Sequence, residues 1–485
     1  MKILLVEPNI EGRVGLPSLS LAVLMSFVNK RTKHRAKIVD LSFHKRHWEK
    51  YLSAKIGDEK PDIIGISTLT FNYSQSLKIA KYIKSISDIR VILGGVHSIL
   101  MPEEIIKNRD VDIVCVGEGE YPLKEIMDND FRCDGVKGVW YKENGNVIKN
   151  ESRRTIEDLD ELPFPEWDDF ELQKYFILNN EHLPIMASRG CPYSCTYCSN
   201  HALKRAMSGK YVRFRSVDSV IEEIGIRIDQ YYKTGLRYFM FYDDIFTMDR
   251  DYVLEFCQKY RAEGYHKLVG WCVNVRANLV TDEIIKAMKE AGCYEAAMGI
   301  EASDDFIRNK VYKRNMSIEQ INNAVAIINK HGMQLRVQFI IGAPYETLDM
   351  MRGSFEMAKK INAQVTQFPV LMPLPATDMN KICLKEGLIE SDDAFNDPQN
   401  MFTKSVIRTK YATRKDVQTL VKKIRNYQIR EYFFDGLKRK GPIFIWDICK
   451  FFFYYKLKYE LEIDNAWKFT INKYNLEKFK PERNL

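Results

Sequence analysis

Cys191, Cys195 and Cys198 stand at spacing C-x3-C-x2-C, directly after Arg189-Gly190. Three thiolates in so short a loop can wrap one face of a cubane iron–sulfur cluster. A closed cubane takes four protein ligands, and no fourth cysteine lies nearby in the chain. One iron is then left open for a small molecule. A zinc site is the alternative, with His201 as the further ligand, because structural zinc takes four protein ligands. Three unrelated thiols are the bland reading.

The triplet resembles the signature of the radical S-adenosylmethionine (SAM) superfamily. The resemblance implies a [4Fe-4S] cluster on the three cysteines and SAM chelated to the open iron through its amino and carboxylate groups. It also implies cleavage of SAM to methionine and a 5′-deoxyadenosyl radical by an electron from the cluster. A low-potential donor of flavodoxin or ferredoxin type is implied as the source of that electron.

Composition sets the frame for those residues. A chain of 485 residues is long enough for two or three cores. Its 45% apolar and 28% charged content is that of a globular protein. Ten cysteines, seven of them isolated, make no disulfide scaffold. A low-potential cluster needs a reducing compartment, so the expected location is cytoplasmic. The start, MKILLVEPN, reads as a strand and not as a signal peptide, and no run of about 18 apolar residues is present. The net charge of +8 is uneven: residues 401–485 carry 20 Lys and Arg against 9 Asp and Glu. That is +11 on the tail end and −3 on the other 400 residues. A basic tail fits an acidic partner, an anionic membrane surface or a solvated helical face. No nucleic acid is expected as a partner.

Residues 1–135 alternate strand and helix patterns, as in a doubly wound, Rossmann-like parallel sheet. Ligands in such sheets bind at the carboxyl ends of the strands. Gly94, Gly95, Gly117 and Gly119 fall at predicted strand ends, where backbone can approach a bulky ligand. Placed before the triplet, this half resembles the cobalamin-binding domain of cobalamin-dependent radical SAM enzymes, notably at Gly94–Glu104 and Val116–Glu120. Many cobalamin domains carry D-x-H-x2-G after the first strand. Here the stretch reads Glu7-Pro8-Asn9-Ile10-Glu11-Gly12, with asparagine where the cobalt-ligating histidine would stand. The resemblance therefore implies cobalamin without histidine ligation. It makes Asn9, Gly12, Ser67, Thr68, Thr70, Gly94, Gly95, His97, Gly117 and Glu118 the candidate corrinoid contacts.

Residues 136–180 read as a linker, with a hairpin at 138–148 turning on Asn144-Gly145 and an acidic, proline-bearing strap at 156–170. Residues 181–390 alternate again, with six candidate strands: 183–187, 238–242, 269–275, 296–300, 334–341 and 363–371. Six such units suit a partial (β/α)6, TIM-like barrel, whose working groups sit at the carboxyl ends of its strands. There the sequence places Asp243 and Asp244, Arg276, Glu301 and Ser303, and Gly342. A guanidinium suits a carboxylate, and a carboxylate suits an ammonium or ribose hydroxyls. By resemblance these residues, with Tyr197 of the triplet loop near adenine, hold SAM. Residues 391–485 show a helical C-terminal region, with an aromatic run at 443–455 that suits either barrel packing or peripheral contact with a membrane or lipid substrate.

The resemblance of both halves implies C-methylation of a small-molecule or lipid substrate through cobalamin. A non-methylating radical cyclisation or oxidation is the alternative. A cobalamin-binding sensor or carrier has no use for the triplet.

Overall fold

The computed structural model describes residues 1–11, 15–361, 363–389, 405–446 and 448–450. Gly12 lies outside the described residues, as do residues 451–455 of the aromatic run.

The first layer is a sheet of seven strands: β1 (Lys2–Glu7), β2 (Arg35–Asp40), β3 (Ile63–Ser67), β4 (Arg90–Gly94), β5 (Ile113–Cys115), β6 (Val139–Glu143) and β7 (Asn146–Lys149). Their order is β2-β1-β3-β4-β5-β6-β7. The first five are parallel, with short apolar runs such as Leu4-Leu5-Val6 buried on both faces. The chain reverses winding between β1 and β3, which sets a crevice at their carboxyl ends. The hairpin expected in the linker is the β6–β7 pair. It adds antiparallel to β5, Ile113 opposite Tyr141, so it extends the first sheet.

The acidic strap also has a fixed place. Asp169 accepts from the Ile38 backbone N–H at 2.8 Å, and Tyr175 donates to Asp40 at 2.7 Å. Trp167, Phe170 and Phe176 are buried beside them, so residues 156–178 are packed chain and not a free tether.

The second sheet has six parallel strands in the order β15-β14-β13-β12-β11-β8. They are β8 (His182–Ile185), β11 (Tyr238–Phe241), β12 (Gly270–Val275), β13 (Cys293–Glu301), β14 (Gln334–Phe339) and β15 (Val365–Gln367). A two-stranded antiparallel pair, β9 (Ser188–Arg189) with β10 (Arg213–Phe214), follows β8 and launches the cysteine loop. The sheet curls. Tyr294 of β13 reaches His182 of β8 at 2.5 Å and packs at 5.0 Å against Tyr238 of β11, strands that lie beyond β12. One set of alternate residues, including Phe239, Phe241, Trp271, Val273, Val337 and Phe339, is fully buried against the covering helices. The other set faces the lumen.

Helix Arg414–Lys440 closes the C-terminal side. A capping box between Thr413 and Asp416 starts it. It packs Val417, Leu420 and Ile424 into the main core, and Gln428 donates to the Thr366 carbonyl at 2.9 Å. The aromatic run splits by face: Phe444 and Ile448 are buried, whereas Ile443, Ile445 and Trp446 are exposed. Among the described residues no helix is long and apolar enough to cross a membrane.

The turn after β14 stores a titration. The Gly342 and Ala343 N–H groups donate to one carboxylate oxygen of Glu346, at 2.7 and 3.0 Å, and Gly342 sits at φ 92°. Burial pushes the Glu346 carboxyl up to about 8, against the pull of those two donors. A folded pKa above the unfolded one contributes stability that is whole below the unfolded value and lost as pH rises through the folded value. Glu346→Gln keeps an acceptor oxygen and removes the charge. In denaturant unfolding the variant should gain on the parent by about 1.4 kcal/mol per pH unit between about pH 4.5 and pH 8, and gain no more above that. A stability difference flat across that range would show that Glu346 ionises without cost.

Candidate active site

Chain geometry before the triplet decides where the sulfurs point. Gly190 sits at φ 89°, and a Cβ there would meet the Tyr211 carbonyl oxygen at 2.3 Å, so only glycine passes beneath β10. Thr196 pins the loop to the barrel, its N–H donating to the Tyr312 carbonyl at 3.1 Å and its hydroxyl to that of Val311 at 2.7 Å. Cys191 and Cys195 are buried and Cys198 is half-buried. Arg314 donates to the Cys195 sulfur at 3.6 Å, and Asn200 to the Cys198 sulfur at 3.6 Å. Donors aimed at sulfur suit electron-rich thiolates. Among the described residues no three His, Cys, Asp or Glu side chains gather on a single metal ion, the triplet included. A cubane spreads its thiolates over several irons, so the donor set fits a cluster. His201 does not complete a zinc site among the described residues: it joins no group of three metal-ligating side chains, and its Nε2 accepts from the Asp378 backbone N–H at 3.0 Å.

The carboxylates and guanidiniums foreseen at the strand ends divide into two groups. Glu301 stands at a register shift of β13 with φ 73°, a left-handed conformation costly for a side chain and common at functional sites. It is buried and accepts from the Tyr197 hydroxyl at 3.0 Å. Burial raises its carboxyl, while Arg314, Tyr197 and Arg276 pull it back down. Arg276 is buried, lies 3.8 Å over the Tyr193 ring and donates to Asn278 and to the Arg314 carbonyl. Its Nη1 has no hydrogen-bond partner among the described residues. Glu301, Tyr197, Arg276 and Arg314 therefore converge beside the cysteines, with acceptor and donor both on hand for an amino acid's ammonium and carboxylate.

Asp243 turns the other way. It is buried, accepts from the Ala187 N–H at 3.0 Å and the Ser188 hydroxyl, and so ties β8 to β9; burial pushes it up to about 6. Asp244 stays at the cluster rim and accepts from Asn200 at 2.8 Å. Ser303 bonds through its N–H to the Ser354 hydroxyl at 3.0 Å, which seats a barrel helix, and Gly342 belongs to the Glu346 turn. Arg314 was not foreseen: it lies in an irregular Lys313–Asn315 stretch with no pattern of its own.

On the other side lies a cavity of about 760 Å³ between the first sheet and helix Leu19–Arg31. Leu5, Val23, Gly65, Ile92 and Leu123 line its apolar depth. Asn9, Ser67, Gly94, Gly95, Gly117 and Glu118 stand on its wall. A Cβ at Gly117 would meet nothing within 4 Å, so the wall is open there, whereas one at Gly95 would strike the Thr68 carbonyl oxygen at 2.7 Å. Gly95 is thus glycine for the backbone behind it. A deep apolar slot with glycine at its rim fits a planar macrocycle with an aromatic tail. Thr68, Thr70 and His97 sit behind the wall. Thr70 bonds His97 at 3.2 Å, Tyr73 packs on the ring at 4.3 Å, and burial pushes the imidazole down to about 4.

The two regions are joined by four charges. Glu118 accepts from Arg189 at 2.8 Å and from Arg213 at 2.9 Å, and Glu120 accepts from Arg189 at 2.7 Å. Arg189 is two residues before Cys191 and itself lines the cavity. Tyr242, just past β11, is exposed toward the same space and lines the cavity too.

Comparison with known proteins agrees with this architecture. The Radical SAM superfamily matches residues 185–358, and the B12 binding domain matches residues 13–127. An uncharacterized methyltransferase, PH0819, of Pyrococcus horikoshii is 31% identical over 440 residues, covering 87% of this chain and 91% of that protein. An anaerobic magnesium-protoporphyrin IX monomethyl ester cyclase of Rubrivivax gelatinosus is 28% identical over 68% of this chain and 60% of its own length. The cobalamin-dependent SAM radical enzyme OxsB, solved with aqua-cobalamin and SAM bound, shares the fold at TM-score 0.70 and 17% identity, over 98% of this chain and 79% of that one.

Gly94 lines the cavity with room for a side chain, a Cβ there standing 3.7 Å from Cys115. Gly94→Leu should cut the cobalamin retained per chain by about tenfold, since filling a tight apolar slot costs about 1–3 kcal/mol, while iron and sulfide content stay unchanged. Full cobalamin retention would place the corrinoid elsewhere. With a three-cysteine loop on a partial barrel, a large apolar cavity at a doubly wound sheet and matches that span both, the chain belongs to the cobalamin-binding radical SAM enzymes, whose cofactors are a [4Fe-4S] cluster, SAM and cobalamin.

Proposed function

We propose that the chain moves a methyl group from SAM to a carbon of a small-molecule or lipid substrate. When bound, the cluster with SAM supplies the 5′-deoxyadenosyl radical and the corrinoid supplies the methyl carrier. One observation carries the reading: Tyr242 belongs both to the barrel lumen and to the corrinoid cavity, so a substrate in the lumen meets both sites. The name of the Pyrococcus horikoshii relative supports methyl transfer.

The residues have separable tasks. Arg276, through Nη1, and the Glu301–Tyr197 pair hold SAM by its charged ends. Arg314 and Asn200 hold sulfur lone pairs in place. The cavity's apolar depth excludes water from the carrier, and Asn9, bonded to Ser42 at 3.1 Å, would present an amide to the corrinoid. Electrons come from a flavodoxin- or ferredoxin-type donor in a reducing, cytoplasmic setting. The exposed Ile443, Ile445 and Trp446, flanked by Lys438, Lys440 and Lys450, give a basic apolar edge suited to a membrane surface that holds substrate. The cyclase relative supports a second reading, radical cyclisation without methyl transfer.

Methyl-labelled SAM separates them when the reconstituted enzyme is given cell extract with its lipids. Methyl transfer requires label in a product, in the lipid fraction if the basic edge delivers substrate and in the aqueous fraction if it does not. Cys195→Ala should abolish both label transfer and 5′-deoxyadenosine. Deoxyadenosine formed with no label in any product favours cyclisation, and its persistence in the alanine variant removes the cluster from the mechanism.

A further inference from the structure

The lumen of the second sheet has a chemistry of its own. Along β11 to β15 the residues that turn away from the helices are Met240, Tyr242, Asn274, Ala297, Gly299, Arg336, Gln338 and Gln367, and none of them is fully buried. Parallel register puts Asn274 beside Ala297, Ala297 beside Arg336, and Gly299 beside Gln338, which pairs in turn with Gln367. The small residues of β13 leave the centre open. At the amino end of the strands the lumen is floored by His182, Tyr238 and Tyr294 in mutual contact.

The one charged side chain among these lumen residues is already paired. Arg336 is held by Glu295 through two bonds, at 2.8 and 3.1 Å. Asn274 donates to the Asp243 carbonyl at 3.0 Å. What remains toward the carboxyl end is the amide pair: Gln338 donates to Gln367 at 2.9 Å, and the bond leaves the Gln338 carbonyl and the Gln367 amino group unmatched among the described residues. Reversing both amides gives the same result, one free carbonyl beside one free amino group. The pair sits next to Gly299, whose Cβ position lies 2.2 Å from a Glu301 oxygen and 3.3 Å from Arg314, so it borders the SAM-holding groups. Across the curled sheet, Met240 and Tyr242 are exposed to the lumen, and Tyr242 also lines the cavity.

We propose that Gln338 and Gln367 are specificity-determining residues that select a neutral substrate bearing an adjacent hydrogen-bond donor and acceptor, such as a carboxamide, lactam or imide, on an apolar body. The inference rests on the methyl-transfer reading only for the site's use and not for its ligand preference. Arg336, the cation nearest in register to the amide pair, is already held by Glu295, so a carboxylate there meets the free carbonyl. A carboxamide satisfies both free groups at once. Sites built around buried hydrogen-bonding groups reject analogues that leave those groups unmatched.

The test uses the holoenzyme, loaded with cluster, cobalamin and SAM, titrated with two probes of equal shape, benzamide and benzoate. Benzamide should bind about tenfold more tightly or better, the usual discrimination for one matched polar pair. Gln338→Leu with Gln367→Leu should erase the preference while cluster and corrinoid absorbance persist. Gln338→Met with Gln367→Met serves if the leucine protein does not fold. Equal binding, preference for benzoate, no saturable binding of either probe, or a preference untouched by the double substitutions would each overturn the assignment. Because neither probe needs to react, these results are independent of whether label from SAM reaches a product.

Discussion

The largely buried charge clamp of Glu118, Glu120, Arg189 and Arg213 is the interaction on which the geometry depends. Burial alone would raise the Glu118 carboxyl, yet Arg189 and Arg213 together hold it below its ordinary value. Burial alone would lower the Arg189 guanidinium, yet Glu120 and Glu118 hold it above. Glu118 and Arg189 therefore stay ionised. Such a set contributes little net stability over apolar packing, but removing one member strands a buried charge at a cost of about 3–5 kcal/mol. What it gives is register. Glu118 and Glu120 follow β5 and line the large cavity, and Arg189 is the last side chain before the glycine and cysteines of the triplet loop. Glu118 also takes the Ile156 N–H at 2.7 Å, so the strap between the sheets is fixed to the same point.

The two sheets use the same strand rule to different ends. In the first, both faces are covered, and the ligand space lies at the carboxyl ends and under one helix. In the second, one face is covered and the other is left to the lumen, with small residues in β13 keeping it open. Radical chemistry acts on whatever is near, so selectivity must come from position. Here position is set by rigid strands, while the cofactor-holding groups sit on short turns that those strands begin and end. Glu301 shows the cost: its left-handed backbone is kept because Arg314 and Tyr197 hold its side chain.

Much of this was legible because it is local. The C-x3-C-x2-C spacing places three thiols in one loop whatever the fold around it. Alternating apolar runs gave both parallel sheets, and strand-end glycines pointed to Gly94 and Gly117 on the cavity wall. Long-range pairing was not legible. Glu118 and Arg213 are 95 residues apart, and nothing near either one predicts the other. Neither Arg314 nor the Gln338–Gln367 pair carries a motif; each acquires its role only when strands far apart in sequence are brought together. Alternation in an extended chain predicts that Asp243 and Asp244 diverge, one to ligand and one to solvent; they do diverge, but the first ties the β8–β9 junction and the second accepts from Asn200 beside the triplet. His97 looked exposed to ligand by position, but helix Val96–Leu100 rotates it behind the wall.

The central claim is that corrinoid and cluster open onto one chamber held in register by Arg189. Electron paramagnetic resonance of the protein carrying both cob(II)alamin and the reduced cluster reads this directly, because two nearby unpaired spins broaden and split each other's signals. One shared chamber predicts mutual broadening in the parent protein, diminished in Arg189→Gln with both sites still filled. Two sharp, independent signals from the fully loaded parent protein would contradict it.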